Sequence, residues 1–173
     1  MHYSGIKYND ISNGPGVRVS LFVSGCTNHC NGCFNTVTWD FNYGNLYTEK
    51  IEHEIIENLK LPRYTGITIL GGEPFEIENQ PTVNALVKHV RQELPDKSVW
   101  LYTGFTYDTD LAPGGKRYIP GVTEELLSNT DVLVDGKFDI DLKDISLVFR
   151  GSSNQRIIDL KSSSYDNIVP YFK

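Results

Sequence analysis

The sequence predicts an α/β fold with a mainly parallel sheet. Three observations carry that expectation. Stretches patterned as strands alternate with stretches of helical periodicity, the order that gives parallel strands joined by right-handed crossovers. The 173 residues suffice for one domain with a real core, yet fall short of the roughly 250 that a complete eight-stranded (β/α) barrel takes. The chemically unusual residues gather in segments that follow predicted strands, the rim where such sheets bind ligands.

The elements read in order as follows. Val17 to Val23 alternates apolar Val17, Val19, Leu21 and Val23 with Arg18, Ser20 and Phe22, after a turn-rich Asn13-Gly14-Pro15-Gly16. From Thr48 to Leu61, Ile51, Ile55, Ile56 and Leu59 fall on one helical face, with Thr48 placed to cap. Ile67 to Leu70 is a short buried strand. Pro81 to Leu94 is an amphipathic helix with proline in its first turn. Ser98 to Tyr102 is a strand, Thr123 to Ser128 a short helix, and Asp131 to Val134 and Arg156 to Leu160 two further strands. With no repeat or linker, residues 1–173 form a single domain whose polar tail, 161–173, has no clear element. The tyrosine-rich stretch from Tyr102 to Tyr118, with Pro113-Gly114-Gly115, is expected to be a mobile rim loop.

Composition excludes several classes. Hydrophobic residues at 39% and charged residues at 22% describe a globular chain rather than a disordered one. The net charge of -6, without any Lys/Arg block, argues against a nucleic-acid partner held by phosphate neutralisation. No apolar run approaches membrane-spanning length, and Met1-His2-Tyr3-Ser4-Gly5 has neither a basic nor an apolar leader region. No membrane contact and a cytoplasmic location are therefore expected.

The cysteines are Cys26, Cys30 and Cys33, within Cys-Thr-Asn-His-Cys-Asn-Gly-Cys. An odd number of clustered thiols in a reducing compartment is a metal-ligand set rather than a disulfide framework. Four-iron clusters usually take one cysteine per iron. Three cysteines leave one iron without a protein thiolate, and an open coordination position is where chemistry happens. The alternative is a non-catalytic zinc knot completed by a histidine. His29 adjoins Cys30 and is badly placed for that, whereas His2, His53 and His89 are distant in sequence.

Other chemistry-bearing segments follow the later strands: Gly71-Gly72-Glu73-Pro74, Thr103-Gly104 and Asp135-Gly136-Lys137. Two glycines after a strand let backbone approach a ligand. Their carbonyls can accept from an ammonium group, and Glu73 can add a charge-assisted bond. Arg18 could face the ligand rim or be a plain surface charge. Arg150-Gly151-Ser152-Ser153-Asn154-Gln155-Arg156 is a turn-forming run whose arginines could grip a ligand or partner.

The C-x3-C-x2-C loop followed by aromatic Phe34, with the Gly-Gly-Glu loop, resembles the radical S-adenosylmethionine (SAM) superfamily. Asn13 to Arg18, Trp100 to Phe105, Val134 to Phe138 and Phe149 to Arg156 narrow the resemblance to the activating proteins of anaerobic ribonucleoside-triphosphate reductases, over about residues 1 to 160. That resemblance implies a partial (β/α) barrel of the incomplete radical SAM type. It implies a 4Fe-4S cluster on Cys26, Cys30 and Cys33, with SAM chelated to the fourth iron. Gly71, Gly72 and Glu73 would hold the methionine ammonium, Gly32 and Phe34 would border the adenine, and Thr103 would stand beside them. Asp135 would reach the ribose and Lys137 the SAM carboxylate. The implied reaction is cleavage of SAM after one-electron reduction by a donor such as flavodoxin. Hydrogen abstraction from a glycine of the reductase's large subunit follows. A pyruvate formate-lyase-type activase is the nearest alternative. The Gly-x-Ile-x-Gly-x-x-Glu stretch of longer members is missing.

Overall fold

A computed structural model describes residues 1–172. The strands are β1 (His2–Asp10), β2 (Arg18–Val23), β3 (Asn45–Leu46), β4 (Gly66–Gly71), β5 (Ser98–Tyr102), β6 (Val132–Asp135) and β7 (Arg156–Asp159); the helices are α1 (Glu49–Leu59), α2 (Gln80–Glu93) and α3 (Val122–Ser128). They build a mixed α/β fold on one seven-stranded sheet of order β3-β1-β2-β4-β5-β6-β7.

The sheet corrects the expectation of a mainly parallel arrangement. Only β2, β4, β5 and β6 run parallel, and three of the six pairings are antiparallel. The connections are the cause. A parallel neighbour needs a long crossover, which α1, α2 and α3 supply; β1 reaches β2 through a short turn and can only return antiparallel. Between β6 and β7 there is a 3₁₀ turn, Ile140–Leu142, but no crossover helix. The sheet is open, not a closed barrel.

Alternation along the strands sorts the side chains. Val19, Leu21, Val23, Ile67, Ile69, Val99, Leu101, Leu133 and Ile158 pack with Ile55, Ile56 and Leu59 of α1, Val83, Leu86, Val87 and Val90 of α2, and Leu126 and Leu127 of α3. On the other face a smaller cluster holds Trp100, Val132, Val134 and Ile157 with Tyr102 and Phe149. The tail covers it: Tyr171 meets the Trp100 ring edge-on at 5.2 Å, and Phe172 stacks on Phe149 at 6.1 Å.

Arg18 is fully buried beneath this second face. Its guanidinium donates to Thr68 Oγ1, Ser98 Oγ and the Ile67 and Ser98 carbonyls at 2.6 to 3.0 Å, with Trp100 5.6 Å away. Among the described residues it has no carboxylate partner, and burial pulls it down to about 10. Arg18 is opposite Gly66, and Gly66 opposite Ser98, at the first residue of each strand. The arginine therefore ties the strand starts together at the end of the sheet opposite the cysteines.

Asp10 fixes the β1–β2 turn. It accepts from Ser20 Oγ and Asn13 Nδ2 at 2.6 Å, from the Lys7 ammonium at 2.9 Å and from the Ser12 amide at 3.0 Å. Burial alone would raise its pKa, but these donors hold it at about 2, below the ordinary 3.8. A depressed carboxylate contributes stability above its unfolded pKa and loses it as pH falls through the folded value, about 2 kcal/mol here. Urea titrations of the wild type and Asp10→Asn are expected to show a stability gap that narrows below pH 4. A gap independent of pH contradicts the assignment.

Candidate functional site

The four rim segments assemble as the topology requires. Cys26, Cys30 and Cys33 after β2, Gly71, Gly72 and Glu73 after β4, Thr103 and Gly104 after β5, and Gly136 after β6 all line one cavity of about 460 Å³. Phe34 and Gly32 stand on its edge, with the Phe34 ring fully exposed.

Backbone bonds set the root of the cysteine loop, and one thiol adds to them: Cys33 Sγ accepts from the Asn35 amide at 3.4 Å. The Gly25 amide donates to the Thr38 carbonyl at 2.8 Å, the Cys26 amide to Trp39 at 3.3 Å, and the Cys33 amide to Cys30 at 3.1 Å. The 3₁₀ turn Thr36–Trp39 thus folds back against the loop's root. Gly25, at φ +93°, leaves no room for a side chain: a Cβ there would lie 2.3 Å from the Phe41 ring. All three thiols are free. Burial, with the Glu73 charge adding, pushes Cys26 up to about 12. Burial also raises Cys30, against the opposing pull of Lys137. Metal binding at these positions must therefore displace protons.

This donor set fits an iron–sulfur cluster, which takes one thiolate per iron. It does not assemble the alternative zinc knot. Among the described residues no three His, Cys, Asp or Glu side chains converge on one ion. His29 stacks on Trp39 at 4.5 Å, and His89 bonds Glu52 and Glu93.

The Gly-Gly step serves the chain's own packing. The Gly72 amide donates to Val23 O at 2.7 Å and the Glu73 amide to Gly25 O at 2.8 Å. A Cβ on Gly72 would sit 2.7 Å from the Gly25 carbonyl oxygen. The missing side chain lets β4's end lie directly against the root of the cysteine loop.

Glu73 is 1% exposed and joins three loops. Its oxygens accept from Asn28 Nδ2 (2.9 Å), Thr103 Oγ1 (2.7 Å) and the amides of Gly104 (2.7 Å) and Phe75 (3.0 Å). Burial pushes its pKa up to about 7, opposed by these donors. Four donors on two oxygens describe a carboxylate already engaged by protein. Thr103 reaches the cavity partly through this bond.

The expected Asp-x-Lys pair is not brought together at the cavity. Val134 faces the second cluster, so strand alternation turns Asp135 to the other side. There it is buried, accepting from Arg156 Nε and from the Tyr107 amide, both at 2.8 Å. Arg156 also pairs with Asp108 at 2.6 Å. Lys137 is exposed, and its carbonyl accepts from Asn154.

Several residues of the site had no assigned role in the sequence. Gln155 accepts the Gly151 and Ser152 amides at its Oε1 and donates to Gly136 O, closing the Arg150–Arg156 run into a turn that walls the cavity. Its Ser-Ser-Asn-Gln composition was the only signal. The tyrosine-rich segment is not a loose rim loop: Phe105, Tyr107 and Leu111 are buried, and Gln80 Nε2 holds the Arg117 carbonyl at 2.7 Å.

A sheet whose rim carries three free thiols over a cavity defines a single-cluster iron–sulfur protein. In agreement, the family described as "4Fe-4S single cluster domain" matches residues 12–158. Relatives narrow the class. The chain is 40% identical over 163 residues to the anaerobic ribonucleoside-triphosphate reductase-activating protein of Escherichia coli (strain K12), covering 93% of this chain and 100% of that one. Against the protein of the same name from Pasteurella multocida it is 42% identical over 159 residues, 91% of this chain and 96% of that one. The Enterobacteria phage T4 counterpart is 36% identical over 157 residues, 91% and 93% respectively. The chain belongs to the family of anaerobic ribonucleoside-triphosphate reductase-activating proteins.

Proposed function

We propose that this chain is a radical SAM activase that generates a glycyl radical on the large subunit of an anaerobic ribonucleoside-triphosphate reductase. Bound together, a 4Fe-4S cluster and SAM supply one-electron cleavage of the sulfonium and removal of hydrogen from a glycine Cα of the reductase. Cys26, Cys30 and Cys33 hold three irons. The carbonyls of Gly71 and Gly72 receive the methionine ammonium, with Glu73 bracing the three loops around it. Gly32 and Phe34 border the adenine, Lys137 offers its charge to the SAM carboxylate, and Asp135 acts from behind as a strut. The open sheet acts as an incomplete barrel of the radical SAM type, leaving one side for a protein substrate. The electron comes from a donor such as flavodoxin, and the setting is the cytoplasm. Among the described residues no helix is long and apolar enough to cross a membrane.

The observation that carries this reading is the shared cavity: three thiols on one wall and the Gly-Gly-Glu turn on the next. The test mixes anaerobically reconstituted protein, a reductant, SAM and the reductase. A glycyl radical in the electron paramagnetic resonance spectrum, with release of 5′-deoxyadenosine, is expected. A reducible cluster that gives neither, or a metal fully ligated by protein, overturns the proposal.

A further inference from the structure

A second carboxylate is buried against the start of the cysteine loop. Glu76 is 1% exposed. Its Oε1 accepts two bonds from the residue that follows Cys26: the Thr27 amide at 2.7 Å and the Thr27 hydroxyl at 2.7 Å. The same hydroxyl accepts from Arg117 Nη2 at 2.6 Å, and that nitrogen lies 3.3 Å from Glu76 Oε2. Thr27 Oγ thus has both its donor and an acceptor position filled by opposite charges.

Arg117 is held there by more than its charge partner. Its amide donates to Asp110 O, its carbonyl accepts from Gln80, and its guanidinium carbon lies 4.6 Å from the centre of the Phe105 ring. Its Nε is buried with no hydrogen-bond partner. The surrounding packing, not optimal bonding, fixes this cation. Glu76, Thr27 and Arg117 do not line the cavity.

We propose that Glu76 and Arg117 are positioning residues that set the electrostatic field at the cysteine loop, and so tune the reduction potential of the bound cluster in opposite directions. Reduction adds a negative charge to the cluster. A buried carboxylate hydrogen-bonded to the residue after a ligand opposes that charge, and the arginine, whose side chain is 21% exposed, partly cancels the carboxylate; burial of Glu76 limits the screening of the pair. Charge close to a cluster is one of the levers that set its potential. The inference rests on the cluster assignment to Cys26, Cys30 and Cys33, not on SAM chemistry.

The test is a redox titration of reconstituted protein, followed by electron paramagnetic resonance without SAM or reductase, alongside iron analysis. Glu76→Gln keeps an oxygen for both Thr27 bonds, so full iron content is expected, with a more positive potential. Arg117→Gln is expected to give a more negative potential. Each shift should change the reduced-to-oxidised ratio at a fixed potential about tenfold, about 59 mV for a one-electron couple. Arg117→Lys, which keeps the charge, and the Glu76→Gln/Arg117→Gln double variant should both titrate close to the wild type. Shifts of the same sign, no shift, or loss of iron from Glu76→Gln overturn the proposal. Failure of the wild type to hold a cluster at all instead overturns the functional reading.

Discussion

Cys30→Ala is expected to fold as the wild type does and to lose both the cluster and all SAM cleavage. The two halves of that outcome have separate causes. The loop's shape comes from the Gly25 and Cys26 amides bonding back to Thr38 and Trp39 and from the Glu73 amide on Gly25. The Cys30 side chain is only half-buried, and the backbone bonds at the loop's root do not use it. Trimming it should change the stability of metal-free protein by no more than about 0.5 kcal/mol, as at an ordinary surface site. The cluster is different, because each thiolate closes one iron and two cysteines leave two irons without protein ligands. Thermal melts of metal-free protein should therefore overlay. Iron content and visible absorption after anaerobic reconstitution should fall to background, and 5′-deoxyadenosine release with them. A variant that retained SAM cleavage would remove Cys30 from the ligand set.

Much of this architecture is visible in the residues, because local periodicity reports burial. Ile55, Ile56 and Leu59 mark the buried face of α1, and Val19, Leu21 and Val23 the core side of β2. The rim position of the thiols and the Gly-Gly-Glu turn follows from their places after β2 and β4. What stays hidden is set by distant contacts. β1 carries glycine, asparagine and alternating half-exposed positions, and it becomes a strand by pairing with β2 across two register shifts. Strand direction at the sheet edges depends on connection length rather than on composition. Glu73 reads as a ligand-facing carboxylate, but which donors fill its oxygens is decided by Asn28, Thr103 and Gly104 on other loops. The Thr27–Glu76–Arg117 link joins residues 49 and 90 positions apart and leaves no local trace. Asp135 shows the limit most sharply. The Asp-x-Lys spacing would put both side chains on one face of a continuing strand, yet β6 ends at Asp135 and Gly136, at φ +100°, turns the chain before Lys137.

That placement yields an outcome opposite to the one the spacing implies. Asp135→Asn is expected to destabilise the protein by about 2 kcal/mol while leaving SAM affinity within about twofold of the wild type. Breaking a buried ion pair by removing one partner costs about 3–5 kcal/mol. The lower figure applies here because the Arg156 side chain is 35% exposed and keeps Asp108 as a partner. Asparagine retains an oxygen for the Tyr107 amide, so the loss isolates the charge pairing rather than the whole hydrogen-bond set. Adding Arg156→Met to this variant removes the stranded cation and should return part of the lost stability. Both quantities are measurable on the same reconstituted protein, by denaturant unfolding and by equilibrium dialysis with SAM. A tenfold loss of SAM affinity with unchanged unfolding would put the carboxylate on the ribose after all. Unfolding at lower denaturant with unchanged affinity identifies it as the strut that holds β6 and β7 behind the cavity.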